Sequence, residues 1–238
     1  MLSSSASART FRDNVLLSTS TALTAGMTNV AGVMACYAFT SNVTGHTAAF
    51  AQHMLRANWF EMIITITWIL LFMLGAFTAH FLIRSFADRS AHFAHSLPII
   101  IEAILLLSIG IYGVQYHNET EVETTIITCI LLFGMGLQNS AVSLISGSGI
   151  KTSHLTGLLT DLGADVSEWL HPKTPRPESL KKKLHLRFSI LFCYIAGAFI
   201  GGWLFINFSF TTFSIIAAIL TLIIVYDFSK IHSDKNAR

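Results

Sequence analysis

Two short polar stretches interrupt an otherwise apolar chain and hold most of its chemically capable groups. The first is Thr40-Ser41-Asn42-Val43-Thr44-Gly45, followed by His46, and the second is Thr152-Ser153-His154-Leu155-Thr156-Gly157. Four of the six positions are identical, and a fifth exchanges Val for Leu. Hydroxyl and amide side chains donate and accept hydrogen bonds without carrying charge, and at a helix start they cap free N–H groups. Such a start, placed in apolar surroundings, favours an anionic or strongly polar group. Asn29, Gln138 and Asn139 lie inside apolar stretches, where each amide needs a partner from another helix or from a ligand. Asn29, Asn42, Thr44, Gly45, His46, Gln138, Asn139, Thr152, Thr156 and Gly157 are therefore the candidate solute-binding residues. The plainer account of the same residues is that small side chains let helices approach closely.

Glu102 is the one acid well inside an apolar stretch. A charge at the bilayer centre costs roughly 2.5–3.5 kcal/mol on insertion scales, so such a residue is a candidate proton carrier. The competing expectation is a structural acid near the cytoplasmic interface, paired with Arg84 or Arg89. Nothing else suggests bond-making chemistry: the chain has no His-Glu-x-x-His, no Gly-x-Ser-x-Gly and no Walker-type loop. His92 and His95, with Asp88 the one acid nearby, fit a flexible cytoplasmic loop better than a metal site. No cofactor or metal is expected. Cys36, Cys129 and Cys193 lie far apart in apolar runs, without metal-ligand spacing, and are expected to pack as small apolar groups. Asp161 and Asp165 are expected to face the cytosol.

The elements that position these groups follow from composition. The 238 residues are 53 % hydrophobic and 12 % charged, against about 25 % charged in a soluble domain. That excludes disordered, disulfide-scaffold and nucleic-acid-binding classes and leaves an all-α integral membrane protein whose partner is the lipid bilayer. A hydrocarbon core about 30 Å thick needs roughly 20 helical residues. Six stretches qualify: Asn14–Phe39, Trp59–Ile83, Leu97–Tyr116, Thr124–Ile145, Leu186–Ile206 and Phe208–Phe228. The first is the weakest, diluted by Ser18, Thr19, Ser20, Thr21, Thr24 and Thr28. A signal peptide fits it less well, because the pattern continues to Phe39. With both termini cytoplasmic, fourteen of the fifteen Lys and Arg residues fall inside and only Arg56 falls outside, as the positive-inside rule requires. Lys181–Lys183, in the Pro/Lys-rich loop 171–185, then act as a topology signal at the headgroups.

The duplicated hexad belongs to a longer repeat. Upstream of each copy lies a Gly-Met element leading to an Asn: Gly26 to Asn29, and Gly134 to Asn139. Downstream of each lies Gly-Ala-Phe, at residues 75–77 and 197–199. The chain thus divides into an N-terminal tail (1–13), a first membrane repeat (14–116), a second (124–228) and a C-terminal tail (229–238). Three crossings per repeat force the halves to insert with opposite orientation, the logic of inverted-topology transporters with a site between the repeats. Each Thr-Gly segment, over Ser41–Leu55 and Ser153–Leu170, is expected to be a short broken or re-entrant helix. If both crossed fully there would be eight spans, and the repeats would be parallel.

Residues 42–45, Gly134-Met135-Gly136-Leu137-Gln138-Asn139-Ser140-Ala141 and 152–160 together resemble the YoaK-like family of bacterial transmembrane proteins, over about Ser18 to Phe228. The family is a domain of unknown function, so the resemblance implies a polytopic inner-membrane protein and no reaction. The family usually has Asn after the first Thr-Gly, where this chain has His46. If that Asn touches a ligand, the ligand or its ion coupling differs here. The expected function is a small secondary transporter or permease for a small polar solute. The alternatives are a non-transporting membrane scaffold or sensor and, third, an intramembrane enzyme. A homo-oligomer is compatible with each.

Overall fold

The computed structural model describes residues 11–88, 90–118, 120–145, 154–172 and 177–236. They form eight helices: α1 (Phe11–Cys36), α2 (Val43–Leu55), α3 (Trp59–Phe86), α4 (Ala91–Gln115), α5 (Glu121–Ile145), α6 (Leu155–Leu170), α7 (Glu178–Phe208) and α8 (Thr211–Asn236). No strand occurs among the described residues. Five segments are long and apolar enough to cross a membrane: Trp59–Phe86, His92–Gln115, Glu121–Ile145, Glu178–Phe208 and Thr211–Ser229. The chain is an all-α multi-pass membrane protein.

The expected first span is not among those five. α1 has the length, 26 residues, but its hydroxyls lower its hydropathy. They turn back onto their own helix: Ser18 donates to the Asn14 carbonyl (2.6 Å), Ser20 to Leu16 (2.7 Å) and Thr21 to Leu17 (2.6 Å). Back-bonded in this way, a Ser or Thr presents mainly carbon to its neighbours. α1 accordingly lies among other helices, with Leu17, Ala22, Ala25, Met27 and Ala31 fully buried.

Its burial recurs elsewhere in the chain. Every buried position of α1 from Leu17 to Gly32 has a counterpart in α5 from Ile127 to Val142, with no mismatch in spacing. That register aligns Asn29 with Asn139 and Gly26 with Gly136. The Gly-Met pairs at 26–27 and 134–135 are therefore out of register, and the Asn is the true anchor of the repeat.

Glycines bring the long helices together. A Cβ on Gly197 would run into the backbone of Leu23, and one on Gly201 into that of Met27. With the ring contact of Phe11 on His185, these pairs climb together, so α1 and α7 run parallel. On the other side, a Cβ on Gly75 would strike the backbone of Phe133, and one on Gly136 that of Phe72. α4 and α8 run antiparallel: His92 meets Asp227 at one end, and Gly113 meets Phe210 at the other. Small residues at such contacts let backbones touch where no hydrophobic force separates protein from lipid.

Two helix starts lie well before the expected ones. α4 starts at Ala91 rather than Leu97, capped by the Ser90 hydroxyl on Phe93 N (3.4 Å) and continuing through Pro98. His92 and His95 are thus helical rather than in a loop, and His92 Nδ1 lies 3.1 Å from Asp227. α7 starts at Glu178 and takes in Lys181–Lys183.

Candidate functional site

α1 stops at Cys36, and the next residue takes a left-handed conformation (Tyr37 φ 55°). The chain then folds back along α1 until Thr40 lies against Gly32. Asn29 holds this return. Its Oδ1 accepts from Thr40 N (3.0 Å), Thr40 Oγ1 (3.1 Å) and Ser41 Oγ (3.4 Å), while its Nδ2 donates to the Tyr194 hydroxyl of α7 (3.0 Å). One amide thereby joins α1, the start of α2 and α7.

α2 starts where this return ends. Asn42 caps it, its Oδ1 accepting from Gly45 N (3.0 Å). A Cβ on Gly45 would collide with the Asn42 side chain, so the glycine makes room for its own cap. In the second half a Cβ on Gly157 would collide with the His154 ring. His154 stands at the N-cap position of α6 without a side-chain capping bond.

The starts of α2 and α6 open into one cavity of about 940 Å³. Asn29, Asn42, Thr44, Asn139 and Thr156 all line it, together with Tyr194. Five of the sequence-selected residues, drawn from both halves of the chain, thus meet in one space. Its walls are mixed: Phe39, Phe72 and Met73 are apolar, while Ser140, Ser143, His80 and His154 bring hydroxyls and imidazoles. This is the usual make-up of a small-molecule pocket, a largely apolar surface with a few converging polar groups.

The remaining candidates lie elsewhere. Gly45 and Gly157 sit one position behind the lining residues, against their own cap side chains. His46 is buried, with Nε2 2.8 Å from the Phe39 carbonyl oxygen and its ring edge-on to Trp68 at 5.2 Å. Burial pushes its imidazole below the usual histidine range, against the opposing pull of the Phe39 carbonyl. It fastens α2 to α3 rather than facing the cavity. Gln138 is fully buried between α5 and α1, donating from Nε2 to Thr24 Oγ1 (3.0 Å). Thr152 lies outside the described residues. Glu102 is buried away from the cavity, and neither carboxyl oxygen has a hydrogen-bond partner among the described residues. The expected pairing with Arg84 is absent, and Arg89 lies outside the described residues.

Asp161 and Asp165 do more than face solvent. Arg187 of α7 bonds both carboxylates, reaching Asp161 Oδ2 at 3.0 Å and making a close ion pair with the buried Asp165. That fork docks α6 on α7. His80, Tyr194, Ser140 and Ser143 were missed as lining residues, although a lone His inside an apolar run and a phenol among Ile and Phe were visible signals. Among the described residues no group of three or more His, Cys, Asp or Glu could hold a metal ion.

A family model described as "Protein of unknown function (DUF1275)" matches residues 17–226. The chain is also 25 % identical over 179 residues to the UPF0700 transmembrane protein YoaK of Bacillus subtilis (strain 168), covering 75 % of this chain and 78 % of that protein. No solved structure matches. With the model spanning α1 to α8, the chain belongs to the DUF1275 family, the YoaK-like transmembrane proteins.

Proposed function

We propose that the chain is a small secondary transporter or permease for a small polar solute, with its site in the cavity between the starts of α2 and α6. The observation that carries this reading is the convergence of Asn29 and Thr44 with Asn139 and Thr156, two matching sets from the two halves, on one polar space. Close packing alone accounts for the glycines of α1, α3, α5 and α7, but it does not call for a cavity. An inverted arrangement of three crossings per half fits the helix directions. α1 and α7 climb together, α4 and α8 oppose each other, and the connections then reverse the second half relative to the first. Short helices whose starts line a cavity are the tolerated form of broken backbone at membrane depth. The proposal includes both termini in the cytoplasm of a plasma-membrane protein and no enzymatic activity. Asn42, Thr44 and Thr156 contact the solute, while Asn29 shapes the site.

Purified protein in liposomes, loaded with a panel of amino acids, short carboxylates and polyols, tests this. At least one member should exchange across the membrane and raise the melting temperature, because a ligand stabilises the state it binds. Thr44→Val combined with Thr156→Val should abolish both effects. A stabilising solute that never crosses the bilayer would make the protein a sensor instead. Modification of Glu121→Cys only from the cytoplasmic side would overturn the orientation.

A further inference from the structure

Glu102 is a carboxyl that the solute cavity does not use. It stands midway along α4 and is 1 % exposed. It faces α5 at Gly134, where a Cβ would lie 3.7 Å from Glu102 Cγ. With Thr28 of α1 it borders a void of about 10 Å³, closed otherwise by Leu and Ile side chains and Met135. That is about the volume one water needs. The Thr28 hydroxyl, like both oxygens of Glu102, is buried and has no partner among the described residues.

Among the described residues, none that borders the void carries a countercharge. No titratable or charged side chain of α1 or α5 lines the void. α3 and α8, which also pack on α4, carry Glu61, His80, Arg84, Tyr226 and Asp227 among their described side chains, and none of these borders it. An ionised carboxylate there would be unpaired in an apolar interior, which is far costlier than a neutral acid.

The place of this acid in the bundle gives it something to control. Thr28, on the Glu102 side of α1, is followed directly by Asn29, which lines the cavity. On α5, Gly134 and Met135 face the acid, and Asn139 lines the cavity one turn further on. The same two helices therefore separate Glu102 from the solute space. We infer that Glu102 is a proton-carrying group whose protonation is linked to the arrangement of α1 and α5, and hence to access to the cavity. In the described arrangement it holds its proton. When α1 and α5 part, water enters, the O–H bond breaks, the proton passes to water and the electron pair stays on the carboxylate. The inference relies on the solute-carrier reading only for what the proton is coupled to.

Two readouts on the full chain in liposomes test it. The infrared carbonyl stretch of a protonated carboxylic acid should be present in the unmodified protein at neutral pH and lost in Glu102→Gln. Leu144→Cys, placed on the cavity wall, should react with a membrane-impermeant maleimide at a rate that changes with pH. Taking the ratio to the same probe in a Glu102→Gln background cancels the thiol's own ionisation and that of His80 and His154. That ratio should move by about tenfold for each unit of difference in proton affinity between the two arrangements. A flat ratio, or an infrared band that survives in Glu102→Gln, would overturn the inference. So would a ratio that follows sodium at fixed pH. Failure of Glu102→Gln to insert would also overturn it, since the amide is the neutral isostere of the acid. Both readouts as expected, without solute exchange, would defeat the solute-carrier reading alone.

Discussion

Asn29 and Tyr194 form a direct tie between the two halves of the chain, the amide Nδ2 donating to the phenol oxygen across 3.0 Å. The same amide holds the fold-back that starts α2, so its loss has two consequences that can be separated. Tyr194→Phe removes the tie, with the phenol's contact to Ser41, but leaves Thr40 held, and should lower stability by about 0.5–1.5 kcal/mol, the net worth of a hydrogen bond. Asn29→Leu also leaves Thr40 N and its hydroxyl without an acceptor, and should cost about 2–4 kcal/mol from the orphaned groups. Thermal unfolding in detergent measures both. Equal losses would mean that the Thr40 bonds contribute nothing.

Gly197 and Gly75 occupy matching places, each with another helix's backbone where its Cβ would be. Gly197→Ala should force α7 off α1, and Gly75→Ala should force α3 off α5, each costing about 1–3 kcal/mol through overpacking against atoms that cannot rotate away. Gly163→Ala is the control, since nothing lies within 4 Å of its added Cβ and alanine is the better helix former. Melting temperatures of the three variants check this, and a fall in Gly163→Ala comparable to the others would refute the assignment to close approach.

His46 makes the docking of α2 sensitive to acid. Its proton affinity is lowered by burial, so in the folded protein it is neutral where an unfolded histidine would already begin to charge. The stability this gives is present above the ordinary histidine range, near pH 6.5, and is lost as pH falls through it, because protons then favour the undocked helix. The protection factors of α2 amides, which divide out the slowing of intrinsic exchange by acid, should fall on acidification below neutral pH. His46→Gln should remove that pH dependence while keeping a donor for the Phe39 carbonyl. An unchanged pH profile in His46→Gln would place the sensitivity elsewhere.

The sequence disclosed the duplicated polar stretches, because Thr, Asn and Gly in an apolar chain stand out by type alone. From type alone, however, Gly45 and Gly157 could not be told apart from ligand contacts. Each makes room for the side chain three residues earlier, and that is a matter of helix-start geometry. Glu102 was legible as an acid inside an apolar stretch, but a span drawn from Leu97 set it only five residues from one end. α4 starts at Ala91 and runs on through Pro98, which puts the acid near its middle. Arg187 was grouped with the topology lysines, whereas its planar fork reaches two carboxylates one turn apart on α6. No local pattern in the chain pairs residues that distant.

α1 also bears on how the protein is made. Among the described helices it is synthesised before the others, yet of those of full crossing length it is the one too rich in hydroxyls to meet the hydropathy of a membrane span. Its apolar face is shaped for α7 through Gly197 and Gly201, and α7 is synthesised only after α2 to α6. Lipid alone therefore gives α1 little reason to stay where it is first placed. Its close contacts with α7 can form only once α7 has been made, so a ribosome stalled before Gly201 leaves α1 without that partner.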